Sequence, residues 1–167
     1  LFLDAPVFWI VRVASVSVCR CSATAEVFGT MSAAHYPPYC MKTLFVLVES
    51  PFSPHFPELY QELGIAAERF DSARNLHRAL QKQAPDYFVG EFIYGWGNDY
   101  AGNTVSNLDV TLRTLQSKAP GAKIIVVMQP REAQHIDKLL EHFSVHAVLK
   151  YPVSEGDMRA VFEAASA

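Results

Sequence analysis

Cysteine is scarce in this sequence and absent from most of it. The three cysteines, Cys19, Cys21 and Cys40, all fall within the first forty of 167 residues. An odd number confined to one end does not form a disulfide framework, and Cys-x-Cys without a second pair of ligands is a poor zinc signal. We therefore expect the remainder to fold without disulfides, as in a reducing compartment, and we expect a cytoplasmic protein.

Concentrated positive charge and long apolar runs are also missing. The net charge is −3, and the lysines and arginines are scattered along the chain. We therefore expect neither a nucleic acid nor an anionic membrane as a partner. Residues 1–18 are apolar but are interrupted by Asp4, Pro6 and Arg12. This run falls short of a spanning helix of roughly 20 apolar residues.

Motifs for catalysis or cofactor binding are absent as well. The sequence has no nucleophile elbow, no Walker loop and no dinucleotide fingerprint. His142 and His146 are four residues apart, but one falls at a predicted helix end and the other in a predicted strand, which is not a zinc spacing. We expect no enzyme activity, no catalytic residue, no metal and no cofactor.

The first forty residues differ from the rest, with only four charged side chains. An apolar run followed by a small-x-small sequence at 23–25 permits a secretory interpretation, but a positive n-region and an initiator Met are missing. The alternative is an artificial or upstream-translated extension, with the natural start at Met31 or Met41. We favour this alternative, expect residues 1–40 to be poorly ordered, and expect residues 41–167 to form one domain.

Beyond that extension, short apolar runs alternate with helix-like segments. Runs typical of buried parallel strands lie at 43–49, 67–70, 87–91, 123–128 and 146–150. Helices are predicted at 57–63, from an N-cap at Asp71 or Ser72 to 83, from Ser106 to before Pro120, from Pro130, and from Ser154. The pattern predicts a three-layer, doubly wound α/β fold with five parallel strands.

The buried faces of these helices follow from the spacing of their apolar residues. The predicted core positions are Leu76 and Leu80 in the second helix, Leu108, Leu112 and Leu115 in the third, Ile136, Leu139, Leu140 and Phe143 in the fourth, and Met158, Val161 and Phe162 in the fifth.

The candidate functional stretch is the third strand with the loop that follows it. The strand ends on Glu91, and the loop contains Trp96, Asp99 and Tyr100 among several glycines. Ligands of open α/β sheets bind at the carboxyl ends of the strands, so we expect function here. The loop aromatics either recognise a protein or small ligand, or fold back over the sheet edge; both interpretations stay open.

Three segments carry a family resemblance. Residues 46–50 form an apolar run that ends in Glu-Ser, four residues separate Asp86 from Glu91, and residues 147–153 are an apolar run leading into Tyr-Pro. Together they resemble the receiver domains of bacterial response regulators, which have a flavodoxin-like (βα)5 fold. The resemblance covers nearly all of residues 41–167, and it implies a role in bacterial two-component signalling.

The resemblance also implies a site whose side chains depart from the family pattern. At the positions of the family's acidic pair this chain has Glu49 and Ser50. It has Glu91 in place of the phosphoacceptor aspartate, Met128 in place of the hydroxyl residue and Tyr151 in place of the lysine. Mg²⁺ requires oxygen ligands in near-octahedral geometry, and a thioether cannot donate a hydrogen bond to a phosphoryl oxygen. Phosphoryl transfer also tolerates misplaced groups poorly. The neighbouring Lys150 points to the other face of its strand and should not substitute.

These departures predict a pseudo-receiver that regulates through protein–protein contact without phosphorylation. Glu91 is then either a permanent stand-in for the charged state or a solvated carboxylate without a role. The partner is unknown. The resemblance implies a homodimer through the fourth helix, fifth strand and fifth helix, where Phe143, Tyr151 and Phe162 serve either docking or the core.

Two other functions remain open. One is a small-molecule or nucleotide-binding flavodoxin-like domain that uses the strand-end crevice. The other is a phosphoacceptor that uses Glu91 or a neighbour. The candidate binding residues under these interpretations are Glu49, Ser50, Glu91, Trp96, Asp99, Tyr100, Met128 and Tyr151.

Overall fold

Five parallel strands form one sheet in the order β2-β1-β3-β4-β5. The computed structural model describes residues 41–51, 53–95 and 105–166. The predicted extension 1–40 lies outside these residues, as do Trp96, Asp99 and Tyr100. The strands are β1 (Lys42–Leu47), β2 (Ile65–Phe70), β3 (Tyr87–Phe92), β4 (Lys123–Met128) and β5 (Ala147–Lys150).

Helices alternate with the strands and cover both faces of the sheet. They are α1 (Pro57–Glu62), α2 (Ala73–Leu80), α3 (Asp109–Lys118), α4 (Ile136–Leu140) and α5 (Glu155–Ser166), and a 3-10 helix, Pro130–His135, precedes α4. The predicted three-layer α/β fold is confirmed. Within the described residues, no helix has the length and apolar character needed to cross a membrane.

The core divides into two clusters, one on each face of the sheet. Alternate strand residues point to opposite faces, so Phe88 packs beneath α2 and α3, whereas its neighbour Val89 packs beneath α1 and α5. The predicted helix positions are buried with one exception, Leu140. Phe143 and Phe162 belong to the core, which is one of the two roles open to them from the sequence.

The fourth helical segment differs from its prediction. Pro130–His135 is a 3-10 helix, and only Ile136–Leu140 is α-helical. Ile136, Leu139 and Phe143 form the buried face as expected, but Leu140 is 37% exposed, so its assignment to the core is wrong. These three buried residues are spaced three and four apart, and Leu140, one step beyond Leu139, is turned about 100° from Leu139 and lies at the margin of their face.

Several other elements also differ in their bounds from those predicted, among them β2 and α2. Strand β2 begins at Ile65, two residues before the predicted 67, because this edge strand is exposed at residues 66–69 and carries no apolar pattern there. Helix α2 ends at Leu80 rather than at 83, and Ser72 is its N-cap, accepting a hydrogen bond from Asn75 N at 3.4 Å.

Candidate functional site at the carboxyl edge of the sheet

Three polar residues reach the carboxyl edge of the sheet from β1, β3 and β5. Ser50 lies just beyond β1, and Glu91 is the penultimate residue of β3. Tyr151 follows β5, and its backbone N–H donates to the carbonyl oxygen of Met128 at 2.9 Å, which continues the parallel pairing. Because all strands run in one direction, these residues collect at one edge.

The polar atoms of these three side chains are buried, although Ser50 and Tyr151 as whole residues are only half-buried. Glu91 is only 5% exposed. Ser50 Oγ, Glu91 Oε2 and Tyr151 Oη are all buried, and none of them makes a well-formed hydrogen bond within the described part of the chain. Burial raises the pKa of Tyr151 to about 12; the negative charge of Glu91 adds to the rise, and the nearby Ser50 hydroxyl opposes it. The phenol is therefore neutral at physiological pH.

The chemistry of this cluster does not match a receiver's metal site. Mg²⁺ prefers several oxygen ligands and commonly two carboxylates, whereas a serine hydroxyl and a neutral phenol surround Glu91 here. Among residues 41–51, 53–95 and 105–166, no group of three histidine, cysteine or acidic side chains could hold a metal ion. Tyr151 supplies bulk where the resemblance places an ammonium group, so these residues do not fit the ion.

The backbone at Glu91 is held in place by Asn107. The Asn107 amide Nδ2 donates to the Glu91 carbonyl oxygen at 2.8 Å, and its Oδ1 accepts from Ile93 N at 3.0 Å. This one side chain satisfies two backbone groups where β3 ends. It therefore fixes the strand end that presents Glu91 to Ser50 and Tyr151.

The structure places the other sequence-predicted residues elsewhere. Glu49 precedes Ser50 at the same edge with an exposed side chain. Met128 is buried with Phe92 in the cluster on the opposite face from Glu91, because β3 and β4 pair in register with Glu91 beside Val127. Trp96, Asp99 and Tyr100 lie outside the described residues.

Lys150 does not replace the family's lysine. It pairs in register with Met128 at the end of β5, and its side chain is exposed. No bulge interrupts this pairing, so Lys150 and Tyr151 keep opposite directions.

The segment that contains the loop aromatics begins and ends at two paired stretches. Tyr94 forms an isolated antiparallel bridge with Ser106, and Gly95 N donates to the Val105 carbonyl oxygen at 3.0 Å. Gly95 has a φ of 68°, a conformation that glycine adopts without strain. Residues 94–95 are therefore paired with residues 105–106.

A second polar cluster, not predicted from the sequence, joins the end of β3 to the fourth helical segment. Tyr94 N donates to Glu132 Oε2 at 3.2 Å, the Tyr94 ring stacks on His135 at 3.8 Å, and Lys138 Nζ donates to Tyr94 Oη at 2.7 Å. Glu132, His135 and Lys138 recur every three residues, which is the repeat of a 3-10 helix. This three-residue spacing is the feature of the sequence from which the alignment of these side chains could have been predicted.

Comparisons with known proteins agree on the fold. No protein-family model and no curated protein match the sequence. The structure is similar to a CheY-like response regulator receiver domain from Methylobacillus flagellatus, with 14% identity and a TM-score of 0.55 over 75% of this chain and 98% of that chain. It is also similar to a putative pilus assembly-related protein from Burkholderia pseudomallei, with 16% identity and a TM-score of 0.54. That match covers 75% of this chain and 90% of the other chain.

Full-length FixJ from B. japonicum gives 13% identity and a TM-score of 0.55, with the match covering 75% of this chain and 57% of FixJ. The chain therefore has the fold of response-regulator receiver domains, as the resemblance implied. Identities this low establish the fold alone, because one fold supports many functions.

Proposed function

We propose that this protein is a pseudo-receiver, a non-enzymatic module of bacterial two-component signalling that acts in the cytoplasm through protein–protein contact and without phosphorylation. The receiver fold supports the signalling role. The observation that carries the phosphorylation-independent part is the burial of Tyr151 with Ser50 and Glu91, where the resemblance implies a lysine, an acid and an aspartate.

Charge balance is the physical reason. A phosphorylated carboxylate adds negative charge at a buried position, and buried charge requires a partner of opposite sign or strong hydrogen bonds. The phenol of Tyr151 is neutral because its pKa is about 12, and Ser50 carries no charge. Neither side chain compensates the added charge, so the phospho-form is disfavoured.

Treatment with acetyl phosphate and Mg²⁺, followed by intact-mass measurement, tests this function. We expect no phosphate adduct on the wild-type protein. The matched control is Glu91→Gln, which has nearly the same size but no nucleophilic carboxylate. A Mg²⁺-dependent adduct that forms on the wild type and disappears in Glu91→Gln would overturn the proposal.

A small-molecule site is the second candidate, and the Glu91 side chain favours it. Glu91 Oε2 is buried without a hydrogen-bond partner among the described residues, and an unsatisfied buried acceptor costs free energy that a ligand with donor groups would recover. Native mass spectrometry of the purified protein distinguishes the candidates. A stoichiometric co-purifying ligand that is lost in Glu91→Gln would favour the small-molecule site.

A further inference from the structure

Helix α2 and the turn after it carry a row of exposed positive charge. Arg74, Arg78 and Lys82 are spaced four residues apart, so they follow one face of the helix, and all three are exposed. Lys82 stays in line because its backbone N–H donates to the Ala79 carbonyl oxygen at 2.8 Å, which extends the helical turn. We call these three residues the α2 stripe.

The α2 stripe takes part in no salt bridge among the described residues. The salt bridges of the described residues involve Arg131 and Arg159, not the stripe. The whole chain has a net charge of −3, so the stripe is a local exception to an acidic protein. A row of exposed cations that form no salt bridge attracts an acidic partner and raises its association rate.

A crevice with a mixed polar and apolar lining lies beside the stripe, between α2 and the edge strand β2. Its volume is about 240 Å³, and it is lined by Phe45 and Phe70 together with Arg78 and Lys82. The two phenylalanine rings pack edge to face with centroids 4.9 Å apart. Glu68 supplies a single carboxylate to the lining. The crevice therefore combines an aromatic floor with a surplus of positive charge.

The edge of β2 next to the crevice is open. Strand β2 pairs with β1 on one side and lies at the end of the sheet on the other. Residues 66–69 are exposed in succession, so the free edge of the strand is accessible in the described part of the chain. An open edge of this kind offers backbone hydrogen bonds to an added extended segment.

We propose that the α2 stripe, the crevice and the β2 edge bind an extended acidic segment of a protein partner. The segment lies along β2, its carboxylates meet Arg78 and Lys82, and one apolar side chain enters the crevice over Phe45 and Phe70. This inference rests on the proposed role in protein–protein contact and names the chemistry of the partner.

A peptide matches this surface better than a nucleic acid does. The aromatic crevice, at about 240 Å³, is the size of a pocket for a side chain and lies between a helix and an edge strand. Strand addition uses alternate side chains for specificity, and this crevice provides one such pocket.

The probe is a synthetic acidic peptide of aspartate and glutamate with one central phenylalanine, titrated by calorimetry at low salt. We expect Arg78→Gln/Lys82→Gln to weaken binding about tenfold, since it removes two exposed charge pairs. The matched control, Lys118→Gln/Lys123→Gln, removes the same charge from exposed residues elsewhere and should bind like the wild type. Glu68→Gln removes the carboxylate that opposes the peptide and should strengthen binding.

Three outcomes would overturn the inference. One is equal weakening of binding by the control, Lys118→Gln/Lys123→Gln, which would show that net charge alone causes the effect. Another is that a short oligonucleotide binds more tightly than the peptide and that Arg78→Gln/Lys82→Gln abolishes this binding, which would assign the surface to a nucleic acid. The third is self-association in sedimentation experiments that this double variant abolishes, which would assign the surface to a second copy. The acetyl phosphate result depends on Glu91 and not on α2, so the two proposals fail separately.

Discussion

Tyr151 changes both the charge and the shape of the carboxyl edge. Where the receiver resemblance implies a flexible cation, this chain places a rigid neutral ring against Glu91. The pKa of the phenol is raised to about 12, chiefly by burial and then by the carboxylate. Glu91 itself is 5% exposed, and no salt bridge among the described residues involves it.

A lysine at position 151 is not expected to restore phosphorylation by itself. Tyr151→Lys supplies the missing cation, but Ser50 still replaces one acid of the metal-binding pair and Glu91 remains longer than aspartate by a methylene. We expect no labelled product with acetyl phosphate and Mg²⁺. The triple variant Ser50→Asp/Glu91→Asp/Tyr151→Lys is the comparison. A phosphoprotein from the single variant would show that the tyrosine alone blocks the site.

Gly90 permits the close packing beneath Glu91. A Cβ atom added there would lie 2.8 Å from a ring carbon of Phe88 and 3.0 Å from Leu108 Cδ2, both fully buried side chains. We expect Gly90→Ala to lower the free energy of unfolding by about 1–3 kcal/mol, because a packed core must shift. Urea denaturation measures this. Gly121→Ala, which meets nothing within 4 Å, is the control; equal effects would contradict the packing explanation.

Sequence reasoning located some of these residues and not others. Ser50, Glu91 and Tyr151 were predictable neighbours because the ends of parallel strands share one edge. Met128 was assigned to the same site, but a single step along a strand reverses the face, and the register places it with Phe92. The stacking of Tyr94 on His135 joins positions about forty residues apart, which no local pattern reveals.

At the scale of elements, the same Ser-x-x-Asp motif begins two helices in different surroundings. At α3, Asp109 accepts from Val105 N, Ser106 N and Ser106 Oγ at 2.9–3.1 Å, and it is 1% exposed. At α5, Asp157 accepts from Ser154 N at 3.0 Å and Ser154 Oγ at 2.7 Å near the surface. The hydrogen bonds from Ser154 lower the pKa of Asp157.

Because Asp109 is buried, the motif at α3 should contribute more to the free energy of unfolding than the motif at α5. We expect Asp109→Asn to lower the free energy of unfolding by about 1–3 kcal/mol, since both carboxylate oxygens accept hydrogen bonds and a buried amide keeps only one acceptor oxygen. Asp157→Asn should cost less than about 1 kcal/mol, as at an exposed cap. Thermal and urea unfolding of both variants measure the difference, and a larger cost for Asp157→Asn would contradict it.

Element bounds could be predicted where one physical signal dominates. Strand β4 was predicted at its observed residues because its β-branched run is buried on both faces. Helix α3 begins at Asp109 rather than at the predicted cap Ser106, because Ser106 Oγ accepts from Leu108 N and donates to Asp109. The α2 stripe was hidden because its cations are separated in sequence and align only on the folded helix.

At the scale of the whole molecule, two histidines link the packing of helices and strands to pH. His77 on α2 lies 3.2 Å from Thr111 Oγ1 on α3, and burial lowers its pKa. Burial also lowers the pKa of His146, and the positive charge of Lys123 adds to the effect. Both imidazoles are therefore harder to protonate in the folded protein than in the unfolded chain.

Stability is accordingly expected to fall as the pH drops below about 6.5, the ordinary histidine pKa. The unfolded state binds more protons in that range, so the free energy of unfolding rises with pH until both histidines are neutral in both states. Urea denaturation between about pH 5 and pH 7.5 measures this slope. His77→Gln/His146→Gln should flatten it and exposed His55→Gln should not; an unchanged slope in the double variant would contradict the assignment.

At the carboxyl edge of the complete receiver fold, the proposed function requires a site that does not accept a phosphoryl group. Calorimetric titration with beryllofluoride and Mg²⁺, a mimic of the phosphorylated state, tests this most directly. We expect no saturable heat from the wild type and a restored signal from Ser50→Asp/Glu91→Asp/Tyr151→Lys. Saturable, Mg²⁺-dependent binding by the wild type that Glu91→Gln abolishes would contradict the claim.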